Sequence, residues 1–194
     1  MPKTRSLSAL VSLLFMPQVS SIYAFALLFA YANIQLGYLA VAVLFSSLIP
    51  LASLAYHVFV MKGDPDVERK ERKGLFAVAI ASYLIGVVAL SYSAAPFIFT
   101  ALMLSYLINT VVAALVTKYF TKVSIHVWGI SGPSVAIFYD YGPVGLLFML
   151  FLAGMVGAAR IKLGKHTPKQ VLLSFLLSVP ITFIVIYAIA PMIT

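Results

Sequence analysis

The chain contains no cysteine, and only 9% of its 194 residues are charged. The first absence excludes disulfides and thiolate metal sites, and with them any reading of the redox compartment. The second decides the class. A soluble domain is about a quarter charged and near half apolar, whereas here 63% of residues are hydrophobic and the mean hydropathy is +1.08. Water cannot be the main solvent of such a chain. It reads as one integral membrane domain, 1–194, with no internal repeat and no low-complexity tract.

The opening "MPKTRSLSALVSLLF" has the charged start and apolar run of a secretory signal. The apolar character continues to the C-terminus, so an uncleaved first transmembrane segment is expected instead. A span needs about 20 apolar residues. Segments near 7–31, 38–61, 74–92, 95–117, 126–139, 143–159 and 171–192 meet or approach this, predicting an all-α polytopic bundle of six to seven transmembrane segments. Pro17 predicts a kink in the first. The fifth, "VWGISGPSVAIFYD", is short and carries Gly129, Gly132 and Pro133; it is expected as an interior helix shielded from lipid. Gly154, Gly157, Ala158 and Ala159 are small enough to permit close helix packing.

The thirteen basic residues fall in four places: Lys3 and Arg5; Lys62 to Lys73; Lys118 and Lys122; Arg160 to Lys169. With the segments above, all four lie on one face of the membrane. The opposite loops carry no Lys or Arg, and their one charge is Asp140. Such one-sidedness places the basic face in the cytoplasm and the chain in the cell membrane as a multi-pass protein. Topology and contact with anionic head groups account for many of these cations; they do not account for the histidines.

There are three histidines. His57 has no obvious partner and reads as a packing or interfacial residue. His126 and His166 sit at span edges on the basic face, where an ionisable group is costly unless paired or lining a polar cavity. The spacings are Ser124-x-His126 and Arg160-x5-His166-x3-Gln170. Arginine binds phosphoryl oxygens in bidentate fashion. A neutral imidazole can attack phosphorus while a second histidine protonates the leaving oxygen. If a helix follows His166, Gln170 lies one turn on and can hold the ring. Asp64, Asp66, Glu68 and Glu71 read as a charge-balanced loop, with one of them replacing a carboxylate beside His166 as the functional alternative; "GDPD" lacks a second carboxylate cluster to complete a metal site. Trp128 and most tyrosines read as interface or core residues, with walling of a site the alternative for Trp128.

"SIH" (124–126) and "ARIKLGKHTPKQ" (159–170) resemble the second and third signatures of the phosphatidic acid phosphatase type 2 superfamily, which includes the vanadium haloperoxidases. Lys62 and Arg69 in "KGDPDVER" have the six-residue gap of the first signature, with Arg72 an alternative arginine. The likeness runs from about 62 to 190. It implies a haloperoxidase-like helical core and a membrane lipid phosphatase acting on a polyprenyl or glycerolipid phosphate or diphosphate. Lys62, Arg69 or Arg72, Ser124 and Arg160 would then bind phosphate, His126 would be the general acid, His166 the nucleophile and Gln170 its orienting partner. No metal or other cofactor is implied, and the expected partners are phosphorylated membrane lipids, not nucleic acid; the oligomeric state is left open. The chain departs from the pattern at Lys70, Val123, Ile125 and Ala159, and Gln170 stands where the family usually has aspartate. Non-hydrolytic lipid-phosphate binding or transport, and phosphotransfer to an alcohol, are the alternatives on the same fold.

Overall fold

The computed structural model describes residues 7–32, 34–63, 67, 72–189 and 192. Their regular structure is helical throughout: α1 (Leu7–Leu14), α2 (Pro17–Ala32), α3 (Leu36–Phe59), α4 (Arg72–Tyr92), α5 (Phe97–Tyr119), α6 (Ile125–Ser131), α7 (Ser134–Lys162) and α8 (Pro168–Ala188). Five of these, α3, α4, α5, α7 and α8, are long and apolar enough to cross a bilayer; α1 and α2, bent by 58° where Pro17 follows a two-residue break, would together make a sixth.

The segments expected at 126–139 and 143–159 are organised differently from two simple spans. α7 is one helix only by its ends. Gly142 has φ 65° and ψ −159°, with Pro143 following, a conformation that glycine adopts without steric cost. Eight residues of a straight helix cover about 12 Å. A Cβ built on Gly145 nevertheless stands 2.9 Å from Cγ2 of Ile137. The chain therefore turns back on itself, giving a first arm at 134–141 and a second at 143–162. The first arm continues from α6 through Gly132 and Pro133, and residues 127–137 are all buried. That interior placement is what the glycine and proline content of the stretch predicted.

Small residues mark the close approaches. A Cβ on Gly157 would meet Cγ1 of Val171 at 2.7 Å, whereas one on Gly154 would meet nothing within 4 Å, so only the first of these two glycines brings helices together. Polar contacts reinforce the same layer: Ser131 and Ser178 share a hydroxyl hydrogen bond of 2.6 Å between α6 and α8.

α3 contains a wide turn at Leu44–Leu48 just before Pro50. Proline has no N–H, so carbonyls one turn earlier lose their helical donor. Hydroxyls from neighbouring helices take its place: Ser82 Oγ donates to the Phe45 carbonyl at 2.6 Å and Ser21 Oγ to the Ser46 carbonyl at 3.3 Å.

The two ends of the bundle differ in chemistry. One gathers Tyr31 against Tyr141, Tyr139 against Phe97 and Tyr187, and the Tyr38 hydroxyl on the Ser93 carbonyl. The other carries Arg72, Lys122, Arg160 and Lys165.

Candidate active site

Parts of three connections build the basic end: residues 60–63 and 67 between α3 and α4, 120–124 between α5 and α6, and 163–167 between α7 and α8. The α7–α8 turn is short and closed by Gly164 at φ 68°. It is followed by a capping box, in which the Thr167 hydroxyl accepts from the Gln170 N–H and the Gln170 Oε1 accepts from the Thr167 N–H at 3.2 Å. This fixes where Gln170 points, and with it His166.

His166 Nδ1 lies 3.1 Å from Gln170 Oε1. That oxygen already accepts from a backbone N–H, so it is the carbonyl end of the amide and Nδ1 carries the ring proton. The carboxamide nitrogen donates to Thr121 Oγ1 at 3.1 Å, tying α8 to the α5–α6 connection. Nε2 is left as the basic nitrogen; it is buried and has no hydrogen-bond partner among the described residues. Burial pushes the pKa of His166 down from 6.5 to about 4. The Gln170 hydrogen bond opposes this, and the charges of Arg160, Arg72 and Lys122 add to it. The imidazole is neutral at physiological pH and surrounded by positive potential.

Arg160 and Arg72 are 5% and 4% exposed. Arg160 Nη1 donates to Ser12 Oγ at 2.8 Å. Arg72 donates through Nε to the Val67 carbonyl and through Nη1 to the Val123 carbonyl, both at 3.1 Å, so it braces the residue before Ser124. Ser124 is fully buried; its N–H donates to Ser174 Oγ at 2.9 Å and its own hydroxyl has no partner among the described residues. Ser174 Oγ in turn donates to the Gln170 carbonyl at 2.7 Å. One hydrogen-bonded path thus runs from His166 through Gln170 and Ser174 to Ser124.

Beside this path lies a cavity of about 420 Å³, within the usual size range of small-molecule sites. Arg72, His126, Arg160 and Lys165 line its basic end, and Leu54, Phe76 and Leu102 are among its apolar walls. Its deep end meets Tyr83 and Tyr106, whose rings pack at 5.7 Å. Asn109, also in the wall, is fully engaged: it accepts from Trp128 Nε1 at 2.7 Å and donates to Thr182 Oγ1 and the Ser105 carbonyl. Trp128 is therefore both a buried packing residue and part of the wall.

Of the residues that the sequence singled out, the fold gathers Arg72, Arg160, Ser124, His166 and Gln170 at the basic end, the last three along one hydrogen-bonded path, with His126 on the adjoining cavity wall. His166 is not itself part of that wall. Lys62 is exposed, at φ 55° in the turn after α3, and it does not line the cavity; of the two arginines proposed for the first signature, Arg72 does. Arg69 and the acids Asp64, Asp66, Glu68 and Glu71 lie outside the described residues. His57 is buried against Gly63, a packing position. Sequence reasoning missed Ser12, Thr121 and Ser174, which carry no pattern of their own, and passed over Lys122 and Lys165 as topological charges. Among the described residues no three His, Asp or Glu side chains gather to hold a metal.

Compared with known proteins, the chain matches no family model, no curated sequence and no solved structure.

Proposed function

We propose that the protein is a membrane lipid phosphatase that hydrolyses a lipid phosphate or diphosphate through a phosphohistidine, without a metal. One observation carries this reading: a neutral, buried imidazole, whose Nδ1–H is fixed and whose Nε2 has no partner among the described residues, sits among Arg160, Arg72 and Lys122, beside a cavity that is cationic at one end and apolar along its length. A phosphate would offset the clustered cations, and the tail attached to it would occupy the apolar shaft.

In the proposed reaction His166 Nε2 attacks phosphorus and the bond from phosphorus to the lipid oxygen breaks. His126 gives its proton to that oxygen. Water then attacks the phosphohistidine with His126 as base, releasing inorganic phosphate and regenerating the neutral imidazole. The guanidinium groups stabilise the oxygens that gain charge in both steps. Gln170 keeps the ring oriented and in the required tautomer, but supplies no negative charge.

A second reading, lipid-phosphate binding or transport without turnover, is favoured by that missing charge and by His166 standing outside the cavity wall. Purified protein in detergent, given phosphatidic acid or a polyprenyl phosphate with chelator present, is expected to release phosphate, and His166→Ala to reduce release at least a thousandfold. Equal turnover by wild type and His166→Ala defeats the hydrolase; saturable lipid-phosphate binding with no release selects the second reading.

A further inference from the structure

The end of the bundle away from the cations holds a charge that the proposed reaction does not use. Asp140 lies in the last turn of the first arm of α7. Its Oδ2 is buried and accepts no hydrogen bond from the described residues. A carboxylate oxygen turned away from water is costly unless a cation or a proton neutralises it. The chain supplies no such cation. Every described residue of this end falls within 21–56, 74–117, 127–159 or 170–194, and those stretches contain no Lys, Arg or His.

The backbone adds to the negative potential. Asp140 stands at the C-terminal end of its arm, where helix carbonyls are left over and an anion is disfavoured. Pro143 has no N–H, so the Tyr139 carbonyl lacks the donor that a continuing helix would give it. α5 begins nearby, with Phe97 against Tyr139, yet no N–H of its first turn donates to Oδ2.

The flanking side chains are aromatic. Consecutive helical residues fan out by about 100° each, so Tyr139 and Tyr141 stand on either side of Asp140. Tyr141 packs on Tyr31 of α2 with ring centroids 4.9 Å apart, and its hydroxyl donates to the Leu27 carbonyl at 2.7 Å. Tyr139 packs on Phe97 of α5 and on Tyr187 of α8, at 5.9 and 6.0 Å. Three other helices thus hold these rings, while Tyr31, Tyr139, Tyr141 and Tyr187 all stay partly open to the outside. Interfacial tyrosines alone call for no ligand. Fixed rings on both sides of a carboxylate without a counter-ion do, because a ring face attracts the same cation that the carboxylate needs.

We propose that this end of the bundle binds an organic ammonium ion, held by Asp140 and by the rings of Tyr139 and Tyr141. Aromatic faces suit such an ion, whose methyl or methylene groups can rest against them. The head of a zwitterionic membrane lipid and a free amine share this chemistry. None of these residues lines the basic cavity, and the inference does not depend on the lipid-phosphate reading.

The test uses the full chain in dodecyl maltoside, whose head group is uncharged. Tetramethylammonium chloride is the probe and sodium chloride at equal concentration is the control. A ligand that binds only the folded form raises the unfolding midpoint in a concentration-dependent way that reports its Kd. Tetramethylammonium should raise it in wild type, and sodium should not. In Asp140→Asn, which keeps the size of the side chain, the Kd should rise at least tenfold. Tyr139→Leu should raise it too, and it serves as the second variant should Asp140→Asn fail to fold. No response of wild type, an equal response to sodium, or an unchanged Kd in the variants overturns the site. Native mass spectrometry with added phosphatidylcholine or phosphatidylglycerol then reads the source. Phosphatidylcholine retained by wild type, lost in Asp140→Asn and displaced by tetramethylammonium assigns a lipid head group. Tetramethylammonium binding without that retention assigns a free amine.

Discussion

Gln170 does three jobs with one carboxamide: it caps α8, accepts from His166 Nδ1 and donates to Thr121. What it cannot do is balance an imidazolium against the burial and the neighbouring cations that push the pKa of His166 down. The folded chain takes up this proton only near pH 4, whereas an unfolded histidine does so near 6.5. Between those values falling pH protonates the unfolded chain and not the folded one. Stability from this residue is therefore complete above pH 6.5 and is lost as pH drops toward 4. At about 1.4 kcal/mol per pKa unit, less some screening by water, the loss is on the order of 2–3 kcal/mol. Gln170→Asp places a carboxylate against Nδ1, which raises the histidine pKa and shrinks that loss. Denaturant titrations in detergent at pH 7 and pH 4.5 measure both effects; an identical pH difference in wild type and Gln170→Asp rules out control of His166 by residue 170. The pairing of His166 with Gln170 was readable from their spacing of four residues, given a helix after 167. The hydroxyls of Thr121, Ser174 and Ser12 were not, because a serine or threonine in an apolar run carries no sign of which neighbour it will meet.

At the level of elements, composition located the helices but not their turns. The apolar segments, the bend at Pro17 and the buried 127–137 stretch all followed from residue type. The hairpin at Gly142 did not, since Asp140, Tyr141 and Pro143 suit a loop, a kink or a helix end equally well. Nor did sequence periodicity indicate which helix faces meet, because a membrane helix is apolar on its lipid side as well as its buried side. Pro50 shows how such helices satisfy a lost backbone donor. Ser82→Ala should strand the Phe45 carbonyl in an apolar interior and cost about 0.5–1.5 kcal/mol. Pro50→Ala restores an N–H, so the double variant should be destabilised by less than the sum of the two single changes. Additive costs across that cycle would show that the Ser82 hydroxyl does not stand in for the missing proline donor.

The whole molecule combines two asymmetries, a cavity open at one end to cations and a charge distribution confined to that same end. On the function proposed above these have different causes. Arg72, Arg160 and Lys165 line the cavity, and Lys122 acts on His166, so on the function proposed above a bound anion would account for these four. Lys62, Lys73, Lys118, Lys162 and Lys169 are exposed and do not line this cavity. Subtracting the site therefore leaves, among the described residues, five lysines at the basic end, against no Lys or Arg in the connections of the opposite end. The expectation of a cytoplasmic basic end therefore rests on these exposed lysines and not on the cations of the candidate site. A phosphorylated lipid would then be drawn from the inner leaflet, where anionic head groups already concentrate. Because the chain has no cysteine of its own, single introduced thiols report sidedness directly. In intact cells a membrane-impermeant maleimide should label Tyr92→Cys, at the exposed tip between α4 and α5, and should leave Lys169→Cys unlabelled until the cells are opened. Labelling confined to Lys169→Cys before opening would reverse the orientation, put the cavity on the outer face, and assign the five exposed lysines to something other than topology.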